Sequence, residues 1–148
     1  MKKKWLIISV PVLVVLSIVC FVFVRNPTAG SSSVFFPPDS ANLRAVSTSQ
    51  AVTNMQTFTR VARQLARSPQ SRVLIEGHAN AVLGTETEER QTLMPLSQQR
   101  AEAAANFLVS NFHIDRNRII ISAAGGGYPA SKRDGSLNRR VKFSILRN

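Results

Sequence analysis

Apolar residues occur in two regimes along this chain of 148 residues. From Trp5 to Val24, twenty residues pass without a charge; as a helix rising about 1.5 Å per residue they span roughly 30 Å, the thickness of bilayer hydrocarbon. Beyond residue 33 the apolar positions become short and periodic. Val34-Phe35-Phe36 is a β-prone run stopped by Pro37-Pro38, because proline cannot donate to a ladder. Between Thr48 and Arg67, Val52, Met55, Phe58, Ala62 and Leu65 fall on one helical face while Arg60, Arg63, Gln64 and Arg67 gather on another. Arg72 to Gly77 is a compact strand, and the polar stretch from Ala81 to Pro95, with Glu86, Glu88 and Glu89, reads as a surface loop. Ser97 is a good N-cap for a second helix, in which Ala101, Ala104, Ala105, Leu108 and Phe112 recur at i, i+3, i+4, i+7 and i+11. Arg118 to Ala123 is a third strand. After a glycine turn at Gly125 to Pro129, Val141, Phe143 and Ile145 alternate with Lys142 and Ser144, as in a half-buried strand. The order β-α-β-α-β-β predicts an α+β domain, a mixed sheet covered by two helices that need its apolar face to bury their own.

The N-terminal run is expected to be a transmembrane helix. Lys2, Lys3 and Lys4 precede it, so the positive-inside rule leaves the tip cytoplasmic and sends the rest across the membrane. A cleaved signal peptide wants a shorter apolar core and a small-x-small cleavage site, and Arg25, Asn26 and Pro27 are poor flanks for one. Lipidation at Cys20 is the lesser alternative, because bulky residues rather than small ones surround it. The helix lacks the acidic group an ion-conducting stator needs at membrane depth. The chain therefore divides into a basic tip at 1–4, a signal-anchor at 5–24, a small polar linker at 25–33 and a domain at 34–148. The expected setting is an inner-membrane anchor with the domain in the periplasm.

Charge and composition then narrow the chemistry. The chain carries 19 Lys and Arg against 8 Asp and Glu. Setting aside Lys2, Lys3, Lys4 and Arg25 leaves 15 against 8, a +7 domain suited to anionic partners. Nucleic acid is disfavoured by the exported position and by the scarcity of aromatics for base stacking. One cysteine allows no intrachain disulfide, and His78 and His113 are not at metal-ligand spacing, so no metal or cofactor is expected. No nucleophile elbow is present, and Gly125-Gly126-Gly127 lacks the Gly-Lys-Ser/Thr of a phosphate loop, so the chain is not expected to be an enzyme.

Three ordered motifs carry the most specific signal: Gly77-His78-Ala79-Asn80, then Leu96-Ser97-Gln98-Gln99-Arg100-Ala101, then Asn138-Arg139-Arg140-Val141. Together with Phe36, Ser40 and Leu43 at the opening, they resemble the OmpA-like, peptidoglycan-binding domain family, whose pattern is G-H-T-D, L-S-x-x-R-A and N-R-R-V. The resemblance runs from Val34 to Asn148. It implies non-covalent binding of a peptidoglycan stem peptide, with the motif aspartate and arginine gripping the amino and carboxylate groups of a diamino acid. By that similarity Arg100 is the carboxylate clamp, and Asn80, His78, Phe36, Leu96 and Arg139 line the site.

Arg100 is notable on physical grounds too. Three residues after a Ser97 cap, a cation would face the positive end of the helix, an arrangement that costs about 0.3–1 kcal/mol. Two departures stand against the family pattern: Asn80 occupies the motif aspartate position, and Pro37 the acidic position after the opening Phe. The expected function is tethering a membrane to the cell wall. The alternative is an envelope scaffold that has lost wall binding and acts through contacts with other envelope proteins.

Overall fold

The structure, a computed structural model, describes residues 32–81 and 84–147. The expected basic tip, membrane anchor, Cys20 and most of the linker lie outside the described residues. Among the described residues, no helix is long and apolar enough to cross a membrane.

The elements follow in the order β1 (Ser33–Phe35), α1 (Thr48–Arg67), β2 (Arg72–Gly77), a one-turn α2 (Glu86–Glu88), a π-helical turn (Glu89–Leu93), α3 (Met94–Phe112), β3 (Ile119–Ala123) and β4 (Arg140–Leu146). The four strands form one sheet in the order β1-β4-β2-β3. Strand β4 runs antiparallel to both β1 and β2, whereas β2 and β3 are parallel. This is the mixed sheet that the β-α-β-α-β-β order predicts.

Alternation within the strands decides which face is covered. Val73 and Ile75 of β2, Val141 and Phe143 of β4 and Ile119 of β3 point into one core with Phe58, Val61 and Leu65 of α1 and Ala101, Ala104, Ala105 and Leu108 of α3. Each large side chain buried in this way contributes about 1.5–3 kcal/mol. Phe58 packs against Phe107 and Phe143, with ring centroids 4.3 Å and 5.7 Å away.

Edge strand β1 is short, and α1 completes it. Asn54, buried in the helix, accepts from the Phe35 amide (2.9 Å) and donates to the Phe35 carbonyl (2.9 Å), acting as a missing strand would.

Three expectations are corrected. Val52 and Met55 are 54 % and 48 % exposed, because α1 is rotated to bury Asn54 and Thr57 alongside Phe58 and Val61. The stretch from Ala81 to Pro95 is not all loop, since the chain is helical from Glu86 onward. Ser97 is not an N-cap but a buried residue inside α3, its Oγ donating to the Met94 carbonyl (2.8 Å) and accepting from the Gly125 amide (3.1 Å).

Candidate functional site

The site is built where β2 ends beneath α3. Gly77, the last residue of β2, lets the helix approach so closely that a Cβ there would lie 1.9 Å from the Ser97 carbonyl oxygen. Only glycine permits this contact, and one helical turn later it brings Arg100 over the strand end.

Arg100 is fully buried, at 0 % exposure. Its Nε donates to the Ser40 carbonyl (2.9 Å), Nη1 to His78 (3.0 Å) and Nη2 to Pro37 (3.1 Å). A guanidinium has five N–H donors; two remain uncommitted here. The Phe36 ring lies with its centroid 5.7 Å from the guanidinium carbon, within cation–π range. Burial chiefly, with Arg139 adding repulsion, brings the Arg100 pKa down to about 10, while Asp39 opposes the shift. Arg100 is thus charged at neutral pH and has no ion pair with any described carboxylate. The helix-end repulsion expected of it does not arise, because helical chain precedes it back to Glu86.

Around this cation lie the other expected residues. His78 is buried; its Nε2 sits 2.8 Å from Glu76 Oε1 without the alignment of a hydrogen bond, and its Nδ1 has no partner. Burial, then Arg140 and Lys142, push the imidazole below its ordinary value of 6.5, against the pull of Glu76. The oxygen of Asn80 accepts from the Asn138 side-chain amide (2.9 Å), which also donates to Ser131 (2.7 Å). Arg139 has a buried Nε with no hydrogen-bond partner. Leu96, half-buried in the first turn of α3, contributes apolar surface only. Arg100, Phe36 and His78 are therefore brought into contact, Arg139 adjoins them electrostatically, and Asn80 belongs to a neighbouring amide network.

The three glutamates of the 81–95 stretch are engaged in local contacts. Glu86 pairs with Arg90 (2.5 Å), Glu88 accepts from the Gly84 amide (2.7 Å), and both oxygens of Glu89 lie 3.1 Å from the Gly126 amide. Glu89 and Ser97 thereby pin the glycine turn, where Gly125 takes φ +52 and a Cβ would meet the Glu89 carboxylate. The carbonyls of Pro37 and Ser40 and the bridging role of Asn138 were not foreseen; backbone acceptors leave no mark on side-chain identity.

Residues 35–142 match the OmpA family. The chain belongs to that family. Its OmpA-like domain is 33 % identical over 112 residues to the peptidoglycan-associated lipoprotein of Brucella melitensis, the match covering 73 % of this chain and 59 % of that one. The chain thus spans little more than half the length of the curated relatives it matches. In fold, it resembles the peptidoglycan-associated lipoprotein of Burkholderia pseudomallei, with a TM-score of 0.63 at 22 % identity, covering 83 % of this chain and 98 % of the other. It also resembles the C-terminal domain of Helicobacter pylori MotB, with a TM-score of 0.57 at 17 % identity, covering 78 % and 84 %.

Proposed function

We propose that this OmpA-family protein binds the peptide stem of peptidoglycan non-covalently and, with Trp5 to Val24 in the inner membrane, tethers that membrane to the wall from the periplasmic side. The observation that carries the reading is the buried Arg100 guanidinium, which has carbonyls on three donors, no carboxylate partner and a second, partly unsatisfied guanidinium, Arg139, beside it. Two adjoining cations whose N–H groups are incompletely paired favour an anion, and a ligand carboxylate can satisfy them through charge-assisted bonds of about 1.5–3 kcal/mol. Phe36 and Leu96 would flank the ligand, while Asn80 and His78 would offer neutral hydrogen-bonding groups. The name of the Brucella relatives supports the same partner.

A second reading has its own support. Arg100 is wholly enclosed and Asn80 is neutral, as expected of a domain that has lost wall binding and serves as an envelope scaffold.

Co-sedimentation of the detergent-solubilised chain with purified sacculi separates the two. Under the tether reading the protein pellets with sacculi, and Arg139→Gln, which breaks no structural hydrogen bond, reduces the pelleted fraction. A folded parent that stays in the supernatant supports the scaffold.

A further inference from the structure

The charge of the domain is divided unevenly between its two ends. Where β2 and β3 begin and α1 and β4 finish, Arg60, Arg63 and Arg67 occupy the last turns of α1, Arg72 opens β2, Arg116 and Arg118 precede β3, and Arg147 follows β4. The register sets Arg72 opposite Leu146 and Val73 opposite Ile119, and Arg118 donates to the carbonyls of Leu65, Ser68 and Ser71, so these residues share one end. Against seven cations stands one acidic side chain, Asp115, which accepts from the Asn117 amide. The other eight Lys and Arg of residues 34–148 are matched by seven Asp and Glu. A net +6 of the domain's +7 therefore sits at the end remote from Arg100.

All of these arginines except Arg118 are exposed. Arg63, Arg67, Arg72 and Arg116 form no ion pair with a described carboxylate. Arg60, Arg63 and Arg67 line a surface groove of about 520 Å³ together with Gln56, Thr59 and Gln64. The direction of the chain then selects the partner. Strand β1 runs from Ser33, opposite Lys142, to Phe35, opposite Arg140, and the Phe143 amide donates to the Ser32 carbonyl (2.9 Å). The chain thus reaches the domain from the arginine end. Only seven residues, 25–31, separate Ser32 from the uncharged run Trp5 to Val24, a reach of under about 30 Å.

We infer that the arginine end docks on the anionic headgroups of the bilayer that Trp5 to Val24 crosses under the proposed tether, turning the Arg100 end toward the wall. This rests on the membrane half of the proposed function and not on peptide binding. Guanidinium groups suit the task because they hydrogen-bond phosphate bidentately. A domain kept so near a lipid surface by its own chain meets it intramolecularly, at high effective concentration.

The test reconstitutes the full chain in phosphatidylcholine nanodiscs, with and without phosphatidylglycerol, and with an acceptor dye on the lipid headgroups. In a Cys20→Ser background, a donor dye is attached at Gln70→Cys, in the exposed turn of the arginine end, or at Tyr128→Cys, exposed near the other end. Energy transfer from position 70 is expected to rise when phosphatidylglycerol is added, to exceed that from position 128, and to fall again in high salt. One basic residue beside an anionic bilayer is worth about fivefold in partitioning. Arg63→Gln, Arg67→Gln and Arg72→Gln combined are therefore expected to lower the ratio of docked to undocked domain by about a hundredfold, with the melting temperature unchanged. Transfer that ignores phosphatidylglycerol or the triple substitution overturns the docking and leaves the anchor standing. If the triple variant keeps its transfer but pellets less with sacculi, the arginine end serves the wall and the lipid assignment is wrong. A chain that does not enter the nanodiscs defeats the anchor reading and the docking together.

Discussion

Arg100 and Arg118 do similar local work at opposite ends of β2, and the contrast shows what separates a brace from a site. Arg118 donates to the carbonyls of Leu65, Ser68 and Ser71, closing the turn between α1 and β2. Arg100 donates to Pro37, Ser40 and His78, closing the turn after β1 onto the other end of the same strand. Three backbone acceptors gathered by one guanidinium are thus no signature of binding, since Arg118 has them and stands among satisfied groups. What distinguishes the Arg100 end is the surplus around it: the buried Arg139 Nε and His78 Nδ1 have no hydrogen-bond partner. Buried polar groups are nearly always paired in folded proteins, so a cluster of exceptions calls for a ligand or for water.

The comparison can be broken most forcefully at Arg100 itself. Arg100→Met removes a fully buried guanidinium and leaves the buried His78 carbonyl and the half-buried Pro37 and Ser40 carbonyls without it, and we expect a loss of about 3 kcal/mol in urea unfolding. Arg118→Met removes as many bonds, but from a half-exposed side chain whose place water can take; a loss of about 1–2 kcal/mol is expected, with no change in sacculus co-sedimentation. Equal losses at the two positions would show that burial does not set them apart.

Acid should act on one end only. His78 is held neutral at pH values where the unfolded imidazole is already charged, so the unfolded chain binds more protons. Stability is then full above the ordinary value of 6.5 and falls as pH drops below it toward the depressed folded value. Unfolding midpoints at pH 7.5 and pH 5 should differ more for the parent than for His78→Gln. The smallest effect on stability belongs to Arg139→Gln, expected within about 0.5 kcal/mol of the parent by thermal melting, although under the proposed function it reduces co-sedimentation with sacculi. A large destabilisation would instead make Arg139 a third brace.

Much of this was legible in the chain. Helix α1 and strand β2 fall where periodicity and β-propensity put them, because both are bounded by strong punctuation, Ser47 as N-cap with Ser68-Pro69 after α1, and Gly77 at the end of β2. The misreading of residues 86–93 came from their polarity. A start signal was present nonetheless: Thr85 caps the turn by accepting from the Glu88 amide (3.1 Å), the Thr-x-x-Glu spacing of a capping box. The exposure of Val52 and Met55 was not legible, because the rotation of α1 is fixed by the bond of Asn54 to β1, a tertiary contact. At the site, the motifs named Arg100, Phe36 and His78, and the structure brings these three together. They could not give the burial of Arg100, which depends on carbonyls rather than on side chains.

The clasp between Asn54 and Phe35 has a mechanical aspect as well. A force entering through the residues before Ser33 is borne first by the three-residue ladder of β1 on β4 and by the two bonds of Asn54. The next segment in line is the Pro37–Ser40 turn, fastened to Arg100. Under the proposed tether, traction and grip would therefore share a single load path, only a few residues long, in which helix α1 acts as the cleat.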